Sequence, residues 1–491
     1  MHALTDSRPT TAANPSRLLS RTLLSLEREQ EFHALRVEGT LPADLCGTFY
    51  RNGPARFDIG VNPHWFDGTG AVSAVRLDGV TAQGAVKLIH SPSNDADTGR
   101  VRPRYGAFRQ RASVTQRVRA LFGASPVRNT ANINVLPWQG RLFALTEATL
   151  PIEIDPANLA SMGETDLKGL IPKAWNAHPH RVASRHTIYQ FGLRVGPRCW
   201  LDVFALPSQG APRLVTSVPI PGVTEVHDFF ATANHLVFVL PPLWCSPLAM
   251  LRNGSFVESL QWNASAPTTV IVIPIDRPHE AMRLETDPFF FFHAVNAYEV
   301  SNGKEIVLDL VRYPDFLGVK RALDAMSDGE PAQPLNSSLW RGHVNLDGRR
   351  IRWEERWAHR LEFPVVHKDV QGDLHHQSWA ASYDVGGANP NGFNRLACID
   401  AERGTATMID PGPGCEVSEP ALVPRSANER DVYVLSLIQD RTARASWLGV
   451  WDGLAIDAAP LAKVWFDQLL PAPLHGCWVG SNQTGQQKQN R

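Results

Sequence analysis

The feature that most constrains the fold of this chain is a succession of short strand-like runs along its length. Each run is rich in β-branched or aromatic residues and is bounded by Gly, Pro, Asp or Asn, as is typical of strands. The clearest runs are 142–148, 200–206, 235–240, 268–276, 305–311, 432–438 and 446–453. Many strands with few helices to cover a parallel sheet predict an all-β fold, and a β-propeller removes most exposed strand edges. Its blades are expected to be irregular, because no repeat of about 40–45 residues is visible.

Helical signals are few and short. Candidate helices cover residues 21–32, 113–122 and 316–326, and Ser113 is a plausible N-cap for the second. Residues 1–20 are polar and rich in Ser, Thr and Pro, which predicts a flexible N-terminal arm. Because no linker-like change in composition follows, residues 21–491 are interpreted as a single propeller domain.

Charge, cysteine usage and hydropathy exclude several classes of protein. The 48 Lys+Arg and 49 Asp+Glu leave a formal net charge of -1, so nothing indicates a nucleic-acid partner. The six cysteines form no CxxC pair, which argues against a zinc knuckle or a dense disulfide framework. No secretory signal is visible at the N-terminus, so a cytoplasmic location is expected. The longest uncharged apolar stretch, 236–251, contains three prolines and is shorter than the about 20 residues that span a bilayer.

Four of the 17 histidines lie in unusual surroundings. They are His178 in WNAHPH, His227 in EVHDFF, His293 in FFFFHAVNAYE and His475 in PLHGCWVG. A charged imidazolium is costly in such apolar or aromatic runs, and a neutral imidazole needs a partner. A metal bound through nitrogen is one partner that suits all four. The spacing by itself matches no local ligand motif and favours unrelated core histidines bonded to backbone carbonyls.

Longer sequence blocks favour a metal site over unrelated core histidines. GTFYRNGPARFDIG and HWFDGTGAVSAVRLDG, within residues 47–79, resemble the N-terminal signature of the carotenoid cleavage oxygenases. The blocks NAHPH, VHDFF, FHAVNAYE and LHG are similar to the four histidine blocks of that family and occur in the same order. The resemblance extends over residues 37–479, which is nearly the whole chain.

This resemblance implies a seven-bladed β-propeller with helical and loop insertions over the face that carries one Fe(II) per chain. The implied iron ligands are His178, His227, His293 and His475. Three glutamates behind such ligands would accept their remaining N–H groups, and the matching positions are Glu147, Glu362 and Glu419. Four imidazoles leave two positions open at a six-coordinate iron. Alignment from Glu147 places Ile133 where a side chain crowds one of them, with an ordinary strand core residue as the alternative.

The implied activity is cleavage of a conjugated carbon–carbon double bond by O2, which gives two carbonyl products from a carotenoid or apocarotenoid. No organic cofactor is expected, and no glycine-rich phosphate loop is visible. Aromatic faces could stabilise positive charge that develops along the polyene. The aromatic candidates are Phe66, Trp175, Phe229, Phe292 and Tyr298.

Three other functions stay open at this point. Stilbene-cleaving relatives typically carry a lysine immediately before the first glutamate, where this chain has Thr146, so stilbene cleavage is the less favoured alternative. Isomerisation or ester cleavage, as in one animal branch of the family, is another. A metal-free binding scaffold is the third, and metal analysis separates it from an enzyme.

Residues 241–251, PPLWCSPLAML, are uncharged and directly precede Arg252. An apolar segment with a tryptophan and a bordering arginine suits insertion into a membrane interface. This predicts peripheral membrane contact, through which a lipid-dissolved polyene could enter. Packing of the segment on a propeller blade, or an oligomer interface, is the alternative.

Overall fold

The computed structural model describes residues 23–120, 127–196, 198–245, 248–249, 252, 255–328, 335–383 and 392–481. Within these residues, seven antiparallel sheets of four or more strands follow one another along the chain and form the blades of a propeller. They are numbered here as blades I to VII. An additional three-stranded sheet is inserted at blade IV.

The first thirteen strands of the chain form most of blade I, all of blades II and III, and one strand of blade VII. The N-terminal strands are β1 (Gln30–Ala34), β2 (Arg36–Gly39), β3 (Cys46–Arg56), β4 (Thr69–Asp78) and β5 (Ala82–Leu88). Blade II contains β6 (Asn134–Trp138), β7 (Arg141–Leu145), β8 (Ile152–Ile154) and β9 (Ser161–Glu164). Blade III contains β10 (His180–Val182), β11 (Thr187–Arg194), β12 (Cys199–Pro207) and β13 (Arg213–Ile220).

The next strands alternate between blade IV and the additional sheet. They are β14 (Val223–Thr224), β15 (Phe230–Ala231), β16 (His235–Leu240), β17 (Leu243–Cys245), β18 (Leu260–Trp262), β19 (Thr268–Pro274) and β20 (Met282–Thr286). Strands β15, β16, β19 and β20 form blade IV, whereas β14, β17 and β18 form the additional sheet.

The remaining strands complete the ring. Blade V contains β21 (Phe290–Val300), β22 (Glu305–Tyr313), β23 (Ser338–Asn345) and β24 (Arg350–Trp357). Blade VI contains β25 (Leu361–Val366), β26 (Gln377–Ser382), β27 (Arg395–Asp400) and β28 (Thr405–Ile409). The last strands are β29 (Cys415–Val417), β30 (Ala421–Pro424), β31 (Val432–Asp440), β32 (Ala445–Asp452), β33 (Ala462–Trp465) and β34 (Gly476–Gly480).

The helices connect strands. The described α-helices are α1 (Pro92–Asp95), α2 (Val114–Ala120) and α3 (Phe316–Asp328). Short 3-10 helices cover Trp65–Asp67, Ala183–Arg185, Val257–Ser259, Pro278–Glu280, Ser301–Gly303 and Lys368–Val370.

Both ends of the chain close the ring. In blade I the strand order is β1-β5-β4-β3-β34, so the C-terminal strand pairs with β3. In blade VII the order is β2-β33-β32-β31-β29, with β30 also paired to β31, so an N-terminal strand completes that sheet. This double closure joins the first and last blades by backbone hydrogen bonds and protects strand edges that would otherwise stay unpaired.

The core lies between the blades. Strands such as β16 are buried along almost their whole length, because both faces of a blade contact neighbouring blades. Between blades III and IV, for example, the ring of Phe229 stacks on that of Phe238 with centroids 5.0 Å apart. The Phe191 ring meets both edge-on. This two-sided burial explains why the strand signals read as continuous apolar runs.

The seven strand-like runs of the sequence correspond to β7, β12, β16, β19, β22, β31 and β32. The 316–326 helix is confirmed as α3, and the described part of 113–122 contains α2, with the Ser113 hydroxyl accepting the N–H of Gln116. The helix predicted over 21–32 is wrong: residues 23–29 contain no α-helix, and β1 pairs with β5 instead. Pairing across the sheet outweighs local helix propensity there.

The predicted N-terminal arm, residues 1–20, lies outside the described residues. Among the described residues, no helix combines the length and hydropathy needed to cross a membrane.

Candidate metal centre

Each of the seven blades contributes one of the histidines or glutamates that the sequence singled out. The four histidines lie at or just before the innermost strands of blades III, IV, V and I, and the three glutamates belong to blades II, VI and VII. In blade order from I to VII these residues are His475, Glu147, His178, His227, His293, Glu362 and Glu419. Residues far apart in the chain therefore converge because inner strands of a propeller all face its axis.

The four imidazole rings form one buried cluster. The Nε2 atom of His293 lies 3.1 Å from that of His475 and 3.3 Å from that of His227. The ring of His178 completes the group, with centroids 4.2 Å from His227 and 4.8 Å from His475. The Nε2 atom of His178 is buried and has no hydrogen-bond partner among the described residues.

The protonation of these rings makes the cluster unfavourable unless a cation lies within it. Glu362 and Glu419 are hydrogen-bonded to Nδ1 of His293 and His475, and a Glu147 oxygen lies 2.6 Å from Nδ1 of His227, which favours the tautomers with the proton on Nδ1 and a lone pair on Nε2. Lone pairs that face one another at about 3 Å repel. Two nitrogens bound to one metal at about 2.1 Å and at right angles are themselves separated by about 3 Å. The nitrogen positions therefore fit a single metal ion.

Burial keeps most of these imidazoles neutral, as metal ligands must be. Burial, together with the neighbouring histidines, lowers the pKa of His178 well below its usual value and that of His227 to about 4. Burial also lowers the pKa of His475. For His293 the effect of burial is outweighed by the adjacent Glu362 carboxylate, which raises the pKa.

Glu362 is the most completely bonded of the three carboxylates. It accepts hydrogen bonds from Nδ1 of His293, from the hydroxyl of Tyr313 and from the backbone N–H of Phe363. Burial would raise the pKa of Glu362, but these partners, His293 first, lower it overall. The carboxylate therefore stays charged and fixes the orientation of the His293 ring.

Glu419 is tied to a fully buried arginine. Its Oε1 atom lies 2.8 Å from Nδ1 of His475, and its other oxygen accepts from Nη1 of Arg51 at 2.5 Å. The same oxygen accepts the backbone N–H of Gly476 at 3.2 Å. A divalent cation together with Arg51 would balance the charges of the three glutamates.

The backbone around His475 leaves little freedom for this ligand. The N–H of His475 donates to the carbonyl of Ile133, and its own carbonyl accepts the N–H of Asn52. A Cβ atom on Gly476 would lie 2.0 Å from the Tyr50 carbonyl oxygen, so only glycine permits β34 to approach β3 this closely.

Glu147 has a carboxyl neighbour that the sequence analysis missed. One oxygen of Glu147 lies 2.6 Å from Nδ1 of His227, and its carboxyl group is hydrogen-bonded to that of Glu225. Burial and the adjacent Glu147 carboxylate raise the pKa of Glu225 to about 8. Burial raises the pKa of Glu147 to about 8 as well, so at neutral pH this coupled pair shares a proton, with Glu225 as the donor to Glu147. The accessible part of Glu147, 29% of its side chain, faces an internal cavity.

The loops that carry the first two histidines are positioned by polar side chains. The side-chain oxygen Oδ1 of Asn176 accepts the backbone N–H of His178, and the side-chain Nδ2 of Asn176 donates to the Val226 backbone carbonyl. Next to His227, the Asp228 carboxylate bonds the ring of His180 at 2.6 Å and accepts the N–H of Ala294. These contacts join blades III, IV and V around the imidazole cluster.

A cavity of about 1450 Å³ reaches the cluster. It is lined near the imidazoles by Ile133, Phe292 and Phe363, and further away by Trp65, Phe66, Phe108, Trp175, Leu193 and Trp244. Its lining includes exposed residues, among them Val195 and Arg198, so the cavity opens to the surface beside β12. Ligand pockets commonly measure about 300–1000 Å³, so this one suits an extended, largely apolar molecule.

The aromatic candidates from the sequence separate into two groups. Phe66, Trp175 and Phe292 line the cavity, and the Phe292 ring lies 4.8 Å from that of His227. Phe229 and Tyr298 do not line it: the first packs between blades, and the second lies against the His375 ring. Ile133 does line the cavity, adjacent in the backbone network to His475.

Sequence reasoning missed Arg51, Glu225, Tyr313 and Phe363. The ring of Phe363 lies 5.4 Å from His293 and 5.2 Å from His475, and its φ of 55° is rare for a bulky residue. Backbone strain of this kind concentrates at functional sites. The only sequence signal for Phe363 was its position directly after Glu362.

Replacement of Glu362 by glutamine is expected to weaken metal affinity about 10–100-fold, because the His293 ring loses its charged acceptor. Anaerobic titration with Fe(II) or Co(II) measures this. The matched control is Glu299→Gln, which changes a comparable carboxylate beside His235 in blade IV, remote from the cluster. Equal affinities of the Glu362 variant and the unaltered protein would contradict the assignment of this carboxylate.

The chain is similar to known proteins over most of its length. The family model RPE65, described as retinal pigment epithelial membrane protein, matches residues 24–480. Among curated proteins, the chain is 29% identical to the apocarotenoid-15,15'-oxygenase of Synechocystis sp., over 93% of this chain and 94% of that protein. It is 27% identical to resveratrol cleavage oxygenase 1 of Aspergillus fumigatus, over 94% and 95% of the two chains.

A further relative is the isoeugenol monooxygenase of Pseudomonas nitroreducens, which is 26% identical over 93% of this chain and 97% of that enzyme. Among solved structures, cobalt-substituted Synechocystis ACO superposes with a TM-score of 0.83 at 26% identity, covering 95% of this chain and 99% of that one. The likeness thus extends over almost the whole chain in sequence and in fold.

Proposed function

The chain belongs to the RPE65 family of carotenoid cleavage oxygenases, and on that premise we propose that it is an Fe(II) dioxygenase that cleaves an apocarotenoid or carotenoid. It cuts a conjugated carbon–carbon double bond with O2 and releases two carbonyl products. The observation that carries the proposal is the convergence of four imidazoles, three with carboxylates behind them, at the end of a large apolar cavity.

His178, His227, His293 and His475 would hold the metal through Nε2, and Glu147, Glu362 and Glu419 would orient three of the rings. Ferrous iron bound there would supply the activation of dioxygen, which imidazole and carboxylate groups cannot supply themselves. Nitrogen ligands of this kind suit iron among several transition metals. We assign one iron to each chain.

The protein's own residues position the polyene and exclude water. Phe292 and Phe363 pack against the imidazole rings at the inner end of the cavity, where their faces can stabilise positive charge on a polyene. Ile133 lies at the same end and would restrict access beside His475. The glutamates keep the ring protons on Nδ1, so the ligand nitrogens stay available throughout turnover.

The similarity to the Synechocystis apocarotenoid-15,15'-oxygenase supports an apocarotenoid or carotenoid substrate, and so does the size of the cavity. Stilbene cleavage is the second candidate, favoured by the similarity to resveratrol cleavage oxygenase 1. Thr146, which precedes Glu147, lines the cavity and is hydrogen-bonded to Asn132 at 3.2 Å. A neutral hydroxyl in that place offers a phenolate no counter-charge.

Product analysis tests the proposal. Iron-loaded protein is incubated with carotenoids, apocarotenals and hydroxystilbenes under ¹⁸O₂, and the products are identified by mass. We expect two carbonyl fragments from an apocarotenoid or carotenoid, with oxygen derived from O2. Cleavage of stilbenes alone would overturn the substrate assignment, and unlabelled isomerised or hydrolysed products would overturn the reaction. Roughly one iron per chain is expected, whereas absence of any transition metal after anaerobic loading would indicate a scaffold.

We also propose that the protein contacts membranes peripherally near the mouth of the cavity. Trp244 lines the cavity, and Leu248 is 74% exposed close by in the chain. Leu243 and Cys245, by contrast, are buried in β17 and cannot insert, while residues 246–247 and 250–251 lie outside the described residues. Sedimentation with lipid vesicles tests this: Leu248→Ser should reduce binding, and unchanged binding would contradict it.

A further inference from the structure

Glu362 and Phe363 are consecutive residues of β25, yet both side chains face the propeller axis and line the same cavity. The Glu362 carboxylate accepts from Nδ1 of His293. The Phe363 ring packs against both His293 and His475. In a regular strand, successive side chains point to opposite faces of the sheet. The backbone of β25 must therefore depart from a regular strand at this point.

The departure is a β-bulge that contains a left-handed residue. The pairing of β25 with β26 passes from Glu362↔Ala381 directly to Val365↔Trp379, so three steps along β25 correspond to two steps along β26. One extra residue in one strand of an antiparallel pair is a β-bulge. Phe363 lies within it and has a φ of 55°. The bulge thus turns two consecutive side chains towards the axis.

The local preferences of Phe363 oppose this conformation. A bulky residue rarely has a positive φ, because its Cβ crowds the backbone carbonyl. The residue before a proline, here Pro364, favours an extended backbone. Strain of this kind persists only where the surrounding structure over-determines it. The buried Phe363 ring makes the contacts that do so, with the two imidazoles and with the ring of Phe393 at 5.5 Å between centroids.

We propose that Phe363 is a positioning residue of the metal centre. Its ring, packed against two imidazoles, holds the backbone in the left-handed conformation, and this conformation keeps the Glu362 carboxylate at Nδ1 of His293. The same carboxylate accepts the backbone N–H of Phe363 at 3.0 Å, so the bulge and the carboxylate are joined directly. The inference rests on the proposed function, because it concerns how the chain holds two of the metal ligands.

Phe363→Gly and Phe363→Ala separate the backbone from the ring. Both remove the ring, but only glycine adopts a φ near 55° without strain. In the alanine variant the backbone relaxes towards an extended conformation, and Glu362 turns away from His293. The alanine variant should therefore bind Co(II) about five- to thirtyfold more weakly than the glycine variant, which corresponds to the cost of a left-handed residue that has a Cβ.

Anaerobic titration measures the affinity, and the visible absorption bands of bound Co(II) report the arrangement of its ligands. The alanine variant should shift these bands relative to the unaltered protein more than the glycine variant does. Denaturant-induced unfolding of the metal-free proteins should give the same order, with the glycine variant the more stable. Weaker stability of the alanine variant with unchanged Co(II) bands would show strain without positioning and overturn the inference.

Val365→Gly and Val365→Ala are the matched controls, because Val365 lies two residues further along β25 and pairs regularly with Trp379. The usual order is expected there, with the alanine variant the more stable, since glycine weakens an ordinary strand. The same order of stability at Phe363 as at Val365 would overturn the inference.

Phe363→Tyr and Phe363→Leu test the ring without truncating the side chain. Tyrosine keeps the aromatic contacts with both imidazoles and should retain the affinity for Co(II). Leucine loses these contacts and should bind Co(II) about two- to tenfold more weakly. Equal affinities of these two variants would overturn the role of the ring, and this pair remains decisive if the glycine and alanine variants do not fold.

Two outcomes separate this inference from the proposed function. The expected order of Co(II) affinities in a protein that cleaves no polyene supports the role of Phe363 and contradicts the proposed function. Polyene cleavage by the unaltered protein, with equal Co(II) affinities of the glycine and alanine variants, supports the proposed function and overturns the role of Phe363 alone.

Discussion

Replacement of His293 by alanine is expected to abolish both metal retention and cleavage activity while the propeller stays folded. His293 has the central position in the cluster, since its Nε2 is the atom that contacts two other Nε2 atoms. Its removal also leaves Glu362 without the ring it orients. The loss should exceed the roughly 10–100-fold effect that is typical of changes behind a metal ligand.

Metal content and the thermal unfolding midpoint with and without Fe(II) measure this prediction independently of turnover. A site filled at one hundred times its dissociation constant adds about 2.7 kcal/mol to the free energy of unfolding, and the variant should show none of this gain. His235→Ala is the matched control, because His235 is also partly buried beside a glutamate but lies outside the cluster. Metal retention and near-normal turnover in the His293 variant would refute its assignment as a ligand.

Replacement of Arg51 by methionine is expected to destabilise the metal-free protein by about 3–5 kcal/mol. The Arg51 side chain is fully buried and pairs with Glu419, so the substitution leaves a buried carboxylate uncompensated. Glu419 also orients His475, so weaker metal binding should accompany the loss of stability. Denaturant-induced unfolding of the metal-free protein measures the first effect and metal titration the second.

Arg28→Met provides the comparison, because Arg28 pairs with Asp467 at the surface, where both side chains are more than half exposed. Such a pair contributes at most about 1 kcal/mol. If the Arg51 variant shifts the unfolding midpoint no more than the Arg28 variant does, the buried Arg51–Glu419 pair does not stabilise the protein next to the cluster.

The candidate metal centre shows which features local sequence patterns can predict. The four histidines and three glutamates were found because each lies in a recognisable block, and the structure brings one from every blade to the axis. The other hydrogen-bond partner of each glutamate, besides its histidine, could not be predicted from such blocks. Glu225 lies two residues before His227 and reads as an ordinary loop residue until blade II places Glu147 beside it.

The partner of Arg51 also could not be predicted from a local block, because the two residues are far apart in the chain. Arg51 belongs to the RNGP block, yet its partner Glu419 lies 368 residues later in the chain. Tyr313 ends β22 in blade V and reaches Glu362 in blade VI only because neighbouring blades pack face to face. The helix predicted over 21–32 was wrong for a related reason, since the partner strand β5 lies some fifty residues away.

The amino-acid sequence by itself determined the all-β class and most strand positions, and it singled out the histidines and glutamates as candidates, because periodicity and motif blocks are properties of neighbouring residues. Tertiary structure alone decided which carboxyl groups share a proton and which arginine neutralises Glu419. Those features depend on burial and on distances between blades, and closure of the ring sets both.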